Sequence, residues 1–279
     1  MPFSTALPEE RRRAQALCQK AQVRLASGDR LQALAACREA LALDRDCVLA
    51  HHLMAMVSLV GLDYMELLRR IHEHLRPRTY LEIGVAEGNA IRLAGRDTMA
   101  IGIDPAPRIA QELPGSIRVY RETSDDFFAN RDLNGLLGGA LDLAFIDGMH
   151  LFEYALRDFI NVERCSAPGT IVLIHDCYPL DEVTAAREQT TTFSTGDVWK
   201  LILCLKKYRP DLQVQTLAAV SSGLAVVRGL DRKSTILLDH LDPLCREYVP
   251  MPYSAIADNK AEALGLVRGD WETVRRLIS

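Results

Sequence analysis

The sequence has no Cys-x-x-Cys pair, and its cysteines and histidines nowhere take the spacing of a structural zinc site. The seven cysteines, at positions 18, 37, 47, 165, 177, 204 and 245, are scattered and odd in number, which argues against a disulfide scaffold and for reduced thiols in a cytoplasmic protein. An excess of one charge is also missing. With 33 Lys and Arg against 37 Asp and Glu, the net charge is −4, so nucleic acid, which selects a strongly basic face, is not an expected partner. Long apolar runs are absent too. The opening MPFSTALPEERRR sets acid and base before the apolar positions and lacks the core of a secretory signal. The longest apolar stretch, Leu49 to Leu62, is interrupted by His51, His52 and Ser58 and is too short to insert in a membrane. What remains is ordinary: 279 residues, 48% hydrophobic and 25% charged, enough for one large α/β unit or two smaller ones.

The first sixty residues are rich in Ala, Leu, Arg and Glu, with apolar positions at helical spacing, as in Leu31, Leu34, Ala35 and Leu41. Gly28-Asp29 separates two such runs, and Asp29 suits an N-cap of the second. Small residues at Ala33, Cys37 and Ala40 let the two helices of a hairpin approach closely. The segment from about Ala14 to Cys47 resembles one tetratricopeptide repeat. One repeat cannot bury its own apolar face, so the expectation is a cap on the next domain or a dimer contact; a peptide groove needs several stacked repeats. The apolar segment Met54 to Leu62 fits a homodimer contact. A third helix is predicted from Asp63, with Asp63 and Glu66 at capping-box spacing, and Pro77 ends it.

From Thr79 the pattern turns to short apolar runs alternating with helical segments or loops: TYLEIGV, TMAIGID, IRVYRET, LDLAFID, GTIVLIHD, LQVQTL and GLAVVRGL. This predicts an α/β fold with a doubly wound, mostly parallel seven-stranded sheet, its last two strands an antiparallel hairpin at the edge. The expected division is a helical segment at 1–60, a sheet domain at 61–230 and a helical or irregular extension at 231–279.

Ligands of such sheets sit beyond the carboxyl ends of the strands, and here those ends are polar. The first run closes in Glu82-Ile83-Gly84-Val85-Ala86-Glu87-Gly88, an E-x-G-x-x-x-G turn. Gly84 permits a tight turn, and Gly88 is expected to open a helix whose free amides favour an anionic group. Asp104 follows Glu82 by 22 residues, close to the spacing at which an acid takes ribose hydroxyls. The third run ends near Thr123-Ser124-Asp125, the fourth in Asp147-Gly148-Met149-His150 and the fifth in His175-Asp176. A sheet with a structural role alone has no reason to gather carboxylates at so many strand ends.

This ordered set, over about Tyr80 to Arg228, resembles the class I S-adenosylmethionine-dependent methyltransferases. FIDGMHLFEYALRDF, APGTIVLIHD and TGDVWKLI resemble the macrocin O-methyltransferase branch, with catechol O-methyltransferase more distant. The resemblance implies that Glu82, Gly84 and Gly88 line the methionine part of S-adenosyl-L-methionine, that Asp104 binds its ribose, and that Ser124 and Asp125 lie beside its adenine. It implies O-methyl transfer to a hydroxyl of a small-molecule or glycosyl acceptor. It also implies a divalent-cation site at Asp147, Asp176 and His175; His175 departs from the acidic or amide residue usual there, which leaves the choice between Mg²⁺ and a more borderline metal open. Without a metal, His150 or His175 serves as general base, and His150 is the favoured one.

Two rival readings stand beside this one. A nicotinamide-dependent dehydrogenase needs G-x-G-x-x-G, and the turn lacks its second glycine. A non-catalytic adaptor would use the hairpin to recruit partners. Trp199 either packs on the sheet or walls the cleft, and Asp181, Glu182 and Arg187 belong to a lid or a solvated helix.

Overall fold

The computed structural model describes residues 3–279. Four helices precede the sheet: α1 (Pro8–Ala26), α2 (Arg30–Leu43), α3 (Val48–Ser58) and α4 (Tyr64–Leu75). The expected hairpin forms, with Asp29 accepting from the Gln32 amide at 3.2 Å. Ala33, Ala36, Cys37 and Ala40 are buried on α2, while Leu31, on the opposite side, is 82% exposed. Small side chains therefore set the closest part of the α1/α2 contact, with Leu17, Leu25, Leu34 and Leu41 packed around it. The segment 48–58 is a helix in its own right, so the helix after Asp63 is the fourth. Asp63 caps it through the Met65 amide at 2.8 Å, but the capping box is not completed, because Glu66 turns to Arg69 and Arg70. Of the segment thought to favour a dimer contact, Met54, Ala55, Val57 and Leu59 are buried within the chain itself, while Met56 and Val60 are exposed.

The apolar runs then build β1 (Thr79–Ile83), β2 (Met99–Ile103), β3 (Ile117–Tyr120), β4 (Leu141–Ile146), β5 (Ser166–His175), β6 (Gln213–Leu217) and β7 (Leu224–Arg228). Between them lie α5 (Ser124–Asn130), α6 (Leu133–Leu137), α7 (Phe152–Arg164) and α8 (Trp199–Tyr208). After β7 come α9 (Ile236–Asp239), α10 (Leu241–Tyr248), α11 (Lys260–Ala263), β8 (Leu266–Val267) and α12 (Trp271–Ile278). The sheet order is β3-β2-β1-β4-β5-β7-β6-β8. Strands β1 to β5 are parallel, and β7 runs antiparallel to both β5 and β6. All seven expected strands form, and β8, two residues parallel to β6, adds an eighth in a stretch read as helix and loop.

Every residue of β1 is buried, as a central parallel strand covered on both faces must be. One face packs Phe127, Phe152, Phe159, Trp199 and Tyr248 from α5, α7, α8 and α10; the other packs Leu67, Ile71, Ile91 and Val274 from α4, a 3₁₀ turn and α12. Trp199 thus belongs to the core. The connection from β1 to β2 holds the single 3₁₀ turn Ile91–Leu93 where a helix after Gly88 was expected. Gly95 and Asp97 follow too soon for a longer helix to form. Among the described residues, no helix is long and apolar enough to cross a membrane.

The hairpin packing predicts that Ala40→Leu, which forces a large side chain into a fully buried small-residue contact, destabilises the fold by about 1–3 kcal/mol. Urea unfolding measures this, and an unchanged midpoint would show the α1/α2 contact to be loose.

Candidate functional site

Because β1 to β5 are parallel neighbours, their carboxyl ends share one edge, and the strand order reverses between β1 and β4. At that point two turns touch. The Asp147 amide donates to Ile83 O at 2.8 Å, and a Cβ on Gly84 would lie 1.9 Å from Asp147 O. Only glycine fits there, at φ +86°. The β1 turn is tied on its other side by Asp104, whose carboxylate accepts from the amides of Val85 (2.9 Å), Ala86 (2.8 Å) and Ala106 (2.7 Å). Asp104 therefore organises the glycine turn itself. Gly88 sits at φ +81°, and a Cβ there would lie 3.3 Å from Ile109 Cγ1.

Glu82 is buried beneath this turn and accepts from the Tyr80 hydroxyl at 2.7 Å; burial pushes its carboxyl up to about 8. At the end of β3, Thr123 caps α5 through the Asp126 amide, which makes Ser124 the first helical residue. Asp125 is held in a bidentate pair by Arg157, at 2.8–3.1 Å. Asp158, behind them, is buried, and burial lifts its carboxyl to about 7.

The densest chemistry lies past β4 and β5. Their register pairs Ile146 with Ile174, which sets the next residues, Asp147 and His175, side by side. His175 Nδ1 is 3.2 Å from Asp147 Oδ1, and its Nε2 shares a hydrogen bond of 3.2 Å with Ser222 Oγ. Asp176 takes a left-handed backbone, φ +54°, which turns its carboxylate to His150 Nε2 at 2.9 Å. His150 Nε2 also stands 3.5 Å from Asp147. Burial disfavours charge on each of these groups, but attraction between the two acids and the two imidazoles outweighs it. His150 is held well above its ordinary value, chiefly by Asp176; His175 is raised by Asp176 and Asp147; both carboxyls are lowered by the histidines. One ligand atom each from Asp147, His175 and Asp176 fall within 4.8 Å of one another, a mixed oxygen and nitrogen set able to hold a divalent ion. The void lined by Asp147, His150, Asp158 and His175 measures about 10 Å³, room for one water at most.

Three contributors escaped the sequence reading. The Tyr64 ring stacks on His175, centroids 4.0 Å apart, yet in sequence Tyr64 is merely the residue after a cap. Ser222 was visible only as part of a hairpin loop. Asp197, fully buried, accepts from the Phe152 amide (2.7 Å), Arg187 (2.7 Å) and Lys200 (2.9 Å) beside His150. Arg187 also pairs with Glu153, so the stretch expected as a lid or solvated helix is a strap of turns bonded to α7.

Residues 81–177, which run from within β1 to just past β5 and include all four clustered side chains, match a protein-family model described as a methyltransferase domain. No curated protein matches the sequence. Among solved structures, the chain is similar to cofactor-bound Rv0187 from MTB (16% identity, 60% of this chain and 80% of that one, TM-score 0.48). It is similar also to the O-methyltransferase TomG from Streptomyces achromogenes in complex with SAM (16%, 60% and 80%, TM-score 0.47). An O-methyltransferase from Bacillus cereus in complex with SAH gives 17%, 62% and 86%, with a TM-score of 0.44.

The buried Glu82 gives a pH prediction. Its folded pKa of about 8 exceeds the ordinary 4.5, so the folded chain keeps a proton that the unfolded chain releases. The stability it contributes is complete below about pH 4.5 and is lost as pH rises through about 8. Glu82→Gln, which cannot titrate, should reduce the fall in urea-unfolding stability between those limits; a slope identical to the unmodified protein would contradict a protonated, buried Glu82.

Proposed function

We propose that this protein is an S-adenosylmethionine-dependent O-methyltransferase acting on a hydroxyl of a small-molecule or glycosyl acceptor. The observation that carries the reading is the single rim on which the glycine turn, Asp104 and the Asp147–His150–His175–Asp176 cluster meet, within the stretch that matches a methyltransferase domain. The sequence likeness to the macrocin branch supports a hydroxyl as acceptor.

When bound, S-adenosylmethionine supplies a methyl group on a cationic sulfur. The chain's part is to seat and aim. Gly84 lets the β1 turn close on the Asp147 carbonyl and Gly88 lets it pass Ile109, and the rim so shaped would seat the methionine portion. Asp104 spends three acceptor positions on its own turn, and a carboxylate has about four, which leaves capacity for one ribose hydroxyl. Ser124, with Asp125 fixed by Arg157, would border the adenine. The strand-end carboxylates favour a cationic sulfonium nearby.

To act as base at the acceptor, His150 must first release to solvent the Nε2 proton that Asp176 holds on it; the neutral ring then receives the hydroxyl proton on Nε2, and Asp176 again stabilises the imidazolium. His175 is kept in place by Asp147, Ser222 and the Tyr64 ring. A divalent cation fits the donor set of Asp147, His175 and Asp176, where it would supply Lewis acidity to the acceptor oxygen. Two carboxylates and one imidazole suit a borderline ion better than an all-oxygen site does.

Calorimetry with S-adenosylmethionine, and transfer of a labelled methyl group to a panel of sugars and phenols, test the reading; absence of both binding and transfer ends it. Asp147→Asn should cut turnover by about 10²–10⁴-fold in protein that still folds, as a cooperative thermal unfolding transition would show. Chelation should abolish turnover if the cation takes part and leave it unchanged if His150 acts alone.

A further inference from the structure

The segment from Thr190 to Asp197 is bound on its inner side to His150 and on its outer side to the N-terminal helices. Gly196 lies at φ +55°, and a Cβ there would sit 1.8 Å from His150 O and 2.8 Å from His150 Cβ. The Asp197 amide donates to that same carbonyl at 3.1 Å, and His150 Nδ1 stands 3.3 Å from Ser194 O. The main chain and the ring of His150 are thus both held by one short stretch. That stretch is itself fixed by the Asp197 carboxylate, buried and engaged by Arg187 and Lys200. The same carboxylate takes the Phe152 amide at the start of α7, where Leu151 has no side chain to offer as a cap. His150 therefore sits between two points set by Asp197.

On the outer side, Asp46 accepts from the Thr192 amide (2.5 Å) and hydroxyl (3.1 Å), Arg45 donates to Thr190 Oγ1 at 3.0 Å, and the buried His51 ring stacks on Phe193 at 5.3 Å, 12° from parallel. These contacts come from the turn before α3 and from α3 itself. We infer that Gly196 and Asp197 are positioning residues for His150, and that the N-terminal helices belong to the site's scaffold by clamping the strap through Asp46 and His51. This rests on the reading of His150 as the group that meets the acceptor, and it gives the helical segment a role within the enzyme in place of partner recruitment.

The test uses the full chain and two readouts: steady-state kinetics, and the His150 imidazole resonances by ¹⁵N NMR, assigned with His150→Gln. Gly196→Ala should lower kcat about 100-fold, the scale set by an ångström of misplacement, with the KM for S-adenosylmethionine nearly unchanged, and should move the His150 resonances. Asp46→Ala, on the outer side of the strap, should act in the same direction by about threefold to tenfold, and Asp46→Asn, which keeps an acceptor for Thr192, should restore part of the loss. Unmoved His150 resonances in folded Gly196→Ala or Asp46→Ala protein overturn the inference. So does a fall in cofactor affinity matching the fall in kcat, which marks general loosening. If the unmodified protein transfers no methyl group, the functional reading fails while the NMR arm still decides whether the strap positions His150.

Discussion

Two carboxylates placed side by side in a partly dry corner repel one another, and Asp147 and Asp176 remain ionised because two imidazoles face them. Much of the surrounding structure serves that arrangement. The β4/β5 register sets Asp147 beside His175, and the left-handed turn at Asp176 brings the second acid round to His150. A residue with a Cβ at position 84 would push the Asp147 carbonyl away and part the two turns. Conformations of this kind are costly for residues other than glycine and persist where the surroundings fix them, as the hydrogen bonds on both histidines do here.

The glycine turn shows how one carboxylate can replace a helix terminus. A helix after Gly88 would have gathered free amides toward an anion. In its place Asp104 gathers the amides of Val85, Ala86 and Ala106 onto itself. Three hydrogen bonds within the protein tie the turn, and its polarity toward the rim is that of an acid, which suits a cationic group better than a phosphate.

The strands were legible because burial on both faces demands continuous apolar runs, as in TYLEI and TIVLI, and the candidate site was legible because such runs end abruptly in acids and histidines. The α1/α2 contact could be read from Ala33, Cys37 and Ala40, since small side chains at helical spacing have few other uses. What escaped depends on contacts between residues far apart in the chain. Neither Tyr64 over His175 nor Asp197 at the start of α7 carries a local signature, because each partner lies dozens of positions away. The helix after Gly88 was over-read from a motif whose following residues are too few to sustain it. Strand β8 is two residues long, and pairing rather than pattern makes it a strand.

That pairing joins remote parts of the molecule. Gly61 and Gly269 both press against Ala218 O, Leu62 bonds to Gly269 and Val220, and Val220 O takes the Tyr64 amide, so the ring over His175 is seated through residues contributed by β8 and the turn after it. The place of the Tyr64 ring over His175 is thus a product of the finished fold, set by segments far apart in the sequence that must all pair before the ring is seated.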